Sequence, residues 1–181
     1  IAGGGGSGGS MYITTNTIVG TGTVSANGGN GGRNQSSVWW GGGGGGGRIA
    51  LYYTTNGYTG AVTAYGGLGT QNGAAGTIFT KSSTQTYGDL LVNANNTSVV
   101  TTPLVGTLQF DSVTINNQAN VVIPSASTLT ATNVNLASAT LTNNGTLSFA
   151  TLASQAGTLV NNGAVSAASL TLTNITFRTT N

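Results

Sequence analysis

Acid–base and nucleophilic chemistry has few residues to draw on in this chain. The 181 residues include no His and no Cys, and the only carboxylate side chains are Asp89 and Asp111. The usual general base and the thiol nucleophile are therefore missing, and two carboxylates are too few for a typical divalent-cation site. The sequence predicts that the protein is not an enzyme and that it holds no metal and no cofactor.

A phosphate-binding loop is formally suggested by Gly41 to Gly47, because the run satisfies several Gly-x-Gly patterns. The run ends in Arg48 instead of Gly-Lys-Ser/Thr, and no helical pattern follows it. We therefore interpret it as a flexible or closely packed backbone segment. Charged residues are 3% of the chain and the net charge is +2, which leaves no basic patch for nucleic acid. No apolar run is long enough to span a bilayer.

Aromatic residues of the N-terminal half are the candidate contact residues. They are Trp39, Trp40, Tyr52 and Tyr58. Two adjacent indoles in a Gly-rich stretch could stack on sugar rings or bury against another copy, since large aromatic side chains supply much contact area. In the alternative interpretation, one indole covers its own chain and the other is partly exposed.

An apolar residue behind a small or Gly-containing segment recurs seven times along the chain. The seven residues are Met11, Ile49, Ile78, Leu108, Leu129, Leu147 and Val165. The last three intervals are 21, 18 and 18 residues. An internal period of this length indicates a solenoid, in which each repeat buries its apolar face against the next.

The apolar residues inside each unit fall at offsets 0, 2, 5, 7 and 12 from its first residue. Steps of two are strand spacing, because alternate side chains share a face, and the step of three indicates a corner. Thr, Val, Ile and Leu favour strands, and no helical period is present. The sequence therefore predicts an all-β fold, a single parallel β-solenoid of about seven coils. Its inward column would contain Leu108, Leu129, Leu147 and Val165.

Corners of the solenoid are predicted at Asn-Asn-Gly, residues 143–145 and 161–163, which tolerate positive φ. A hairpin would use Asn-Gly as well, but it does not explain the repeated register. Asp89 lies 11 residues after Ile78 and Asp111 lies 3 after Leu108. These offsets predict that the two carboxylates occupy different sides of the rod, which speaks against a glycosidase pair.

The N-terminal half follows the same frame with insertions. Val24 and Val62 each lie 13 residues after the first apolar residue of their unit. The Gly-rich stretches 28–47 and 66–76 are predicted to be inserted loops on one side of the rod. We expect one domain over residues 1–181, with long insertions in 1–105 and tight coils of 18–21 residues in 106–181.

Residues 142–147 (Thr-Asn-Asn-Gly-Thr-Leu) and 158–163 (Thr-Leu-Val-Asn-Asn-Gly) carry a family resemblance. The chain resembles bacterial secreted β-helix surface proteins of the filamentous-haemagglutinin-like and autotransporter-passenger class. The likeness covers residues 106–181 well and the Gly-rich half loosely. It implies a right-handed parallel β-helix outside the cell that serves adhesion or forms a fibre, and it brings no catalytic residues.

We expect a structural subunit of an extracellular fibre or surface layer, because open coil ends and very low charge favour association with copies of the same chain. The predicted head-to-tail contact joins residues 1–10 or 28–47 of one copy to 165–181 of another. One alternative is a cell-surface adhesin or carbohydrate-binding module that uses Trp39 and Trp40 on a glycan. A more remote alternative is an ice-binding solenoid.

Overall fold

The computed structural model describes residues 3–33, 41–97, 100–170 and 174–179. Within these ranges the protein is all-β, with fifteen strands and no helix. The strands are β1 (Ser10–Gly20), β2 (Thr23–Ser25), β3 (Arg48–Tyr58), β4 (Ala61–Thr63), β5 (Thr77–Ser82), β6 (Asp89–Asn93), β7 (Thr101–Pro103), β8 (Thr107–Asn116), β9 (Asn120–Ile123), β10 (Thr128–Ala137), β11 (Thr140–Asn143), β12 (Thr146–Gln155), β13 (Gly157–Asn161), β14 (Ala164–Ala167) and β15 (Ile175–Thr179).

The strands form two long sheets and one short pair. The larger sheet has eight strands in the order β1-β3-β5-β6-β8-β10-β12-β14, the second has five in the order β15-β13-β11-β9-β7, and β2 pairs with β4. Every neighbouring pair is parallel except β5 and β6. Consecutive repeats thus add one parallel strand after another, which is a solenoid-like arrangement.

The apolar register predicted for the C-terminal half is confirmed. Leu108, Leu129, Leu147 and Val165 are paired in that order across four strands. In the five-stranded sheet Leu141 pairs with Leu159, twelve residues into each repeat. The residues inside the stack are fully buried, whereas those at its edges are half-buried. Each buried Leu contributes about 1.5–3 kcal/mol, which no repeat could gain alone.

The seven predicted apolar positions do not form one continuous column. The loop after β5 turns the chain back, so that β6 runs antiparallel to β5. As a result Ile78 pairs with Leu91 and not with Leu108. The hairpin separates two units, which we name the N-terminal stack (residues 3–33 and 41–82) and the C-terminal stack (residues 89–97, 100–170 and 174–179).

Each stack has its own hydrophobic core, and the two cores lie on opposite faces of the eight-stranded sheet. Adjacent residues of a strand point to opposite faces, and paired residues share a face. Leu90 pairs with Val113 and belongs to the C-terminal core. Leu91 pairs with Ile78 and packs against the N-terminal core. The connection between parallel strands has a preferred hand, so reversing the strands moves the connecting segments to the other face.

The described parts of the Gly-rich stretches are not loops, which corrects the prediction for residues 28–47 and 66–76. They belong to a set of extended segments that run side by side and hydrogen-bond through their backbones, and we name this set the glycine layer. Its segments are residues 3–9, 26–32, 41–47, 64–69 and 71–76. Three of them lead into β1, β3 and β5, and the other two follow β2 and β4. The glycine layer therefore continues the strands of the N-terminal stack.

The hydrogen bonds of the glycine layer repeat every third residue. The N–H of Gly44 donates to the carbonyl oxygen of Gly29 at 2.9 Å, and the N–H of Gly47 donates to that of Ala26 at 2.7 Å. Three residues per turn is the period of the polyproline II conformation. A Cβ on Gly44 would lie 1.9 Å from the carbonyl oxygen of Gly6. The two sublayers are therefore in direct backbone contact, which only glycine permits.

The Asn-Asn-Gly corners do not use positive φ, which corrects the sequence prediction for 143–145 and 161–163. Gly145 is required because a Cβ would lie 2.2 Å from the carbonyl oxygen of Ser127. A Cβ on Gly163 would lie 2.1 Å from the carbonyl oxygen of Gly145 in the preceding repeat. Close approach between repeats, and not backbone conformation, selects glycine here.

Left-handed backbone occurs instead at the corner that follows β8, β10 and β12. Asn117, Ser138, Ala156 and Asn174 have φ of 53°, 50°, 56° and 53°. They are spaced 18–21 residues apart, at the same point of successive repeats. An L residue with a Cβ is disfavoured in this conformation by roughly 1–2 kcal/mol, so this column carries strain that the sequence does not announce.

We predict that Gly44→Ala lowers the free energy of unfolding by about 2–3 kcal/mol, because its Cβ would overlap backbone. Gly42→Ala is the control: its Cβ would meet only the carbonyl oxygen of Gln71, at 3.8 Å. That variant should be neutral or more stable by about 0.4–1 kcal/mol, through a less flexible unfolded chain. Urea unfolding monitored by circular dichroism measures both. Equal tolerance of both substitutions would show that the segment is a loop after all.

We predict that Ala156→Gly raises the free energy of unfolding by about 1 kcal/mol, because glycine adopts φ of 56° without steric cost. The matched control is Ala153→Gly in the same strand, where glycine should cost about 0.5–1 kcal/mol. Thermal unfolding of the three proteins compares them directly, and melting temperatures shifted in the same direction by both substitutions would contradict the strain at Ala156.

Candidate functional site

Two of the four candidate contact residues, Trp39 and Trp40, lie outside the residues that the structure describes. Tyr58 is half-buried, and its hydroxyl donates to the carbonyl oxygen of Gly22 at 2.7 Å. This bond joins two successive repeats of the N-terminal stack. The hydroxyl of Tyr58 therefore already has a partner within the fold.

Tyr52 belongs to a row of aromatic side chains that crosses the sheet. Its ring centroid lies 5.1 Å from that of Tyr12 and 5.4 Å from that of Phe79. The ring of Phe79 lies 6.1 Å from that of Phe110 in β8. These distances are typical of attractive aromatic pairs. Because Tyr12 is 72% exposed, the row ends in an open aromatic surface.

An apolar groove of 490 Å³ follows the aromatic row. Its floor is formed by β1, β3 and β5 on the face away from the N-terminal core, and its wall by Leu90 and Phe110, where the C-terminal stack begins. The groove is a consequence of the face switch, since the uncovered face of one stack becomes the covered face of the next. Among its described lining residues, Arg48 alone is charged.

A second groove, of 410 Å³, meets the first at Phe110 and continues over β8, β10, β12 and β14. One row of paired residues along it is entirely polar, and we name this row the polar ladder: Gln109, Thr130, Ser148 and Ser166. We name the two grooves together the trough. The trough touches all eight strands of the larger sheet, which at about 4.8 Å per strand gives a length of roughly 34 Å.

The two carboxylates lie on neighbouring strands, which corrects the prediction that they occupy different sides of the rod. Asp89 begins β6 and pairs with the residue that follows Asp111 in β8. One oxygen of Asp111 accepts hydrogen bonds from the backbone N–H groups of Tyr87 and Gly88, at 3.1 and 2.9 Å. Asp89 accepts from the side-chain amide of Gln85 at 2.7 Å. Both carboxylates thus hold the loop that reverses the chain.

Metal ligands and membrane-spanning helices were looked for in the same part of the chain. Its described residues contain no group of three or more His, Cys, Asp or Glu side chains placed to hold a metal ion. Nor do they contain a helix of the length and hydropathy that crossing a membrane requires.

Sequence reasoning did not foresee the roles of Phe79 and Phe110. Phe110 was expected only in the inward column with Ala131, and the structure leaves it half-buried between the two grooves. The available signal was a register: Tyr12 and Phe79 each follow the first apolar residue of a unit, and the structure aligns them through Ala50. Aromatic residues repeated at an outward offset indicate a surface row.

The trough is thus built from residues of every repeat, and none of its lining residues is a carboxylate, His or Cys. Comparison of the chain with protein-family models, with curated proteins and with solved structures gave no match, so the argument for its function rests on residues and geometry.

Proposed function

We propose that the protein is a non-enzymatic structural subunit of an extracellular fibre or surface layer. The observation that carries the proposal is strand β1, eleven residues without a charged side chain. Within the described residues, β1 pairs with β3 on one side and with no strand on the other. An edge of this length and composition is a template for further strand pairing. The second partner in such pairing would be the last repeat of another copy.

Exposed apolar side chains support contact at both ends of the sheet. Six large apolar residues are exposed in the described chain, and four lie in its first and last repeats: Tyr12, Val19, Leu170 and Phe177. Gly41 to Gly47, by contrast, is enclosed by other segments of the glycine layer. We therefore place the contact on β1 and on the repeat after residue 164, and not on residues 28–47.

The reversal at the hairpin fixes how two copies could join. Strand β14 runs opposite to β1, and the cores beside them lie on opposite faces. Rotating the next copy by about half a turn about the stacking axis makes its β1 parallel to β14 and brings its core to the same face. The proposed filament therefore has an approximate twofold screw axis, with a rise of about 38 Å per subunit for eight strands.

The finer description of the fold belongs to the same proposal. We take the two stacks as parts of a closed, right-handed parallel β-solenoid of about seven coils, in line with the preferred hand of crossovers. The extracellular location is supported by the near absence of charge and by the Ser, Thr, Asn and Gly bias, and by the resemblance of residues 106–181 to secreted bacterial β-helix proteins.

We predict that Asp111→Ala lowers the free energy of unfolding by about 1–3 kcal/mol, because two backbone N–H groups of the loop lose their acceptor. Asp111→Asn keeps a carbonyl oxygen at that place and should cost less than half as much. Urea unfolding measures both, and sedimentation should show unchanged assembly for the Asn variant. A large functional loss in Asp111→Asn without a change in stability would indicate a catalytic carboxylate and contradict the proposal.

We predict that Thr17→Lys, on the open edge strand, lowers assembly at least tenfold, because a charged edge opposes strand addition. Its paired residue Thr55 is also exposed but lies on the interior strand β3. Thr55→Lys is therefore the control and should assemble like the unmodified protein. Negative-stain microscopy and sedimentation at increasing concentration compare the three.

The same images test the symmetry of the filament. Two-dimensional averages should show an approximate twofold screw axis along filaments of the unmodified protein. Assembly of Thr17→Lys at the unmodified level would place the contact along the side of the stack. A protein that stays dispersed at every concentration would contradict the structural-subunit proposal itself.

A further inference from the structure

We propose that the trough binds a linear acidic polysaccharide, laid across the strands of the eight-stranded sheet. The site consists of the aromatic row, Arg48 and the polar ladder. It lies on the face of the sheet and not on its edges, so its use does not depend on assembly of copies.

The shape of the trough fits a long ligand better than a compact one. Its two halves have volumes of 490 and 410 Å³, each within the range of small-molecule sites, and they meet end to end at Phe110. Successive strands present the same kind of side chain at a constant spacing of about 4.8 Å. A polymer of similar units matches a site whose own residues repeat.

The aromatic half supplies the apolar contacts. A pyranose ring presents a flat face of C–H groups between rims of hydroxyl groups, and aromatic rings offer large apolar faces of low conformational entropy. Tyr12, Tyr52 and Phe79 offer such rings at centroid distances of 5.1 and 5.4 Å. Ser10 and Thr77 lie beside them in the same row as Arg48, where they can bond to sugar hydroxyl groups.

The polar ladder differs from the other polar rows of the C-terminal stack in having no internal hydrogen bonds. Elsewhere the rows bond from repeat to repeat: Asn143 donates to Asn161 at 2.8 Å, and Thr151 donates to Asn133 at 2.7 Å. Side chains of the polar ladder are half-buried or exposed, and they make no hydrogen bond to any described residue. Their hydroxyl and amide groups are therefore free to bind hydroxyl groups of a ligand.

Arg48 gives the site its preference for an acidic ligand. Its side chain is exposed beside the aromatic row, and its guanidinium forms no ion pair or hydrogen bond with the described residues. A guanidinium binds a carboxylate through two parallel hydrogen bonds. A second copy of this chain is a poor source of that carboxylate, because Asp89 and Asp111 both accept bonds within their own loop. Carboxylated sugar units supply it at regular intervals.

Titration calorimetry of the full chain with oligogalacturonate, and with neutral cello-oligosaccharides of equal length, tests the proposal. The unmodified protein should bind oligogalacturonate more tightly, and raising the salt concentration should weaken that binding. Tyr12→Ala combined with Tyr52→Ala should weaken binding of both ligands about tenfold or more. Arg48→Gln should weaken oligogalacturonate binding alone and abolish its dependence on salt.

Controls separate binding from folding. Val105 is exposed but lies outside the trough, so Val105→Ala should bind like the unmodified protein. Unchanged circular dichroism and melting temperature establish that each variant is folded. No saturable binding of oligogalacturonate, or equal binding by the trough variants, would overturn the proposal. Binding lost only when Trp39 and Trp40 are changed to Ser would assign the sugar to the indoles and also overturn it.

Discussion

Reversal of strand direction between β5 and β6 is the constraint on which the rest of the structure depends. A parallel stack that kept its direction would hold all its apolar residues on one face, with one core and an evenly covered outer surface. The antiparallel pair of Ile78 and Leu91 ends that continuity. Because the hand of the crossover is preferred over its mirror image, the covering segments change sides. The two cores and the step between them follow from this one hairpin.

Two different solutions to packing meet at this step. In the C-terminal stack, columns of Leu, Ile and Val separate two sheets, and close packing of side chains supplies most of the stability. In the glycine layer the separation has shrunk until backbones touch, so amide hydrogen bonds and dispersion between backbones replace the side-chain core. Neither solution needs ion pairs, and six charged side chains suffice for the whole chain.

The sequence predicts the C-terminal stack well because its signal is local and repeated. Leu129 and Leu147 follow one another at the period of the fold, and both are fully buried. The hairpin was missed because six residues between Ser82 and Asp89 look like any polar turn, and only the pairing of distant strands shows that the direction changes. The glycine layer was missed because a glycine has no side chain to reveal a period, so a packed segment and a flexible one read alike.

The aromatic row was only half visible for a related reason. Tyr52 was a candidate from the alternation with Ile49 and Leu51, but Phe110 belongs by sequence to an inward column. The wall of the trough is an inward residue at the first repeat of the C-terminal stack, where no preceding repeat covers that face. A site of this kind cannot be read from any single repeat, because it exists only where two stacks with opposite faces join. The same reasoning explains why the polar ladder is free: rows bonded along the stack stabilise the repeats, and a row left unbonded at the mouth of the step is open to a ligand.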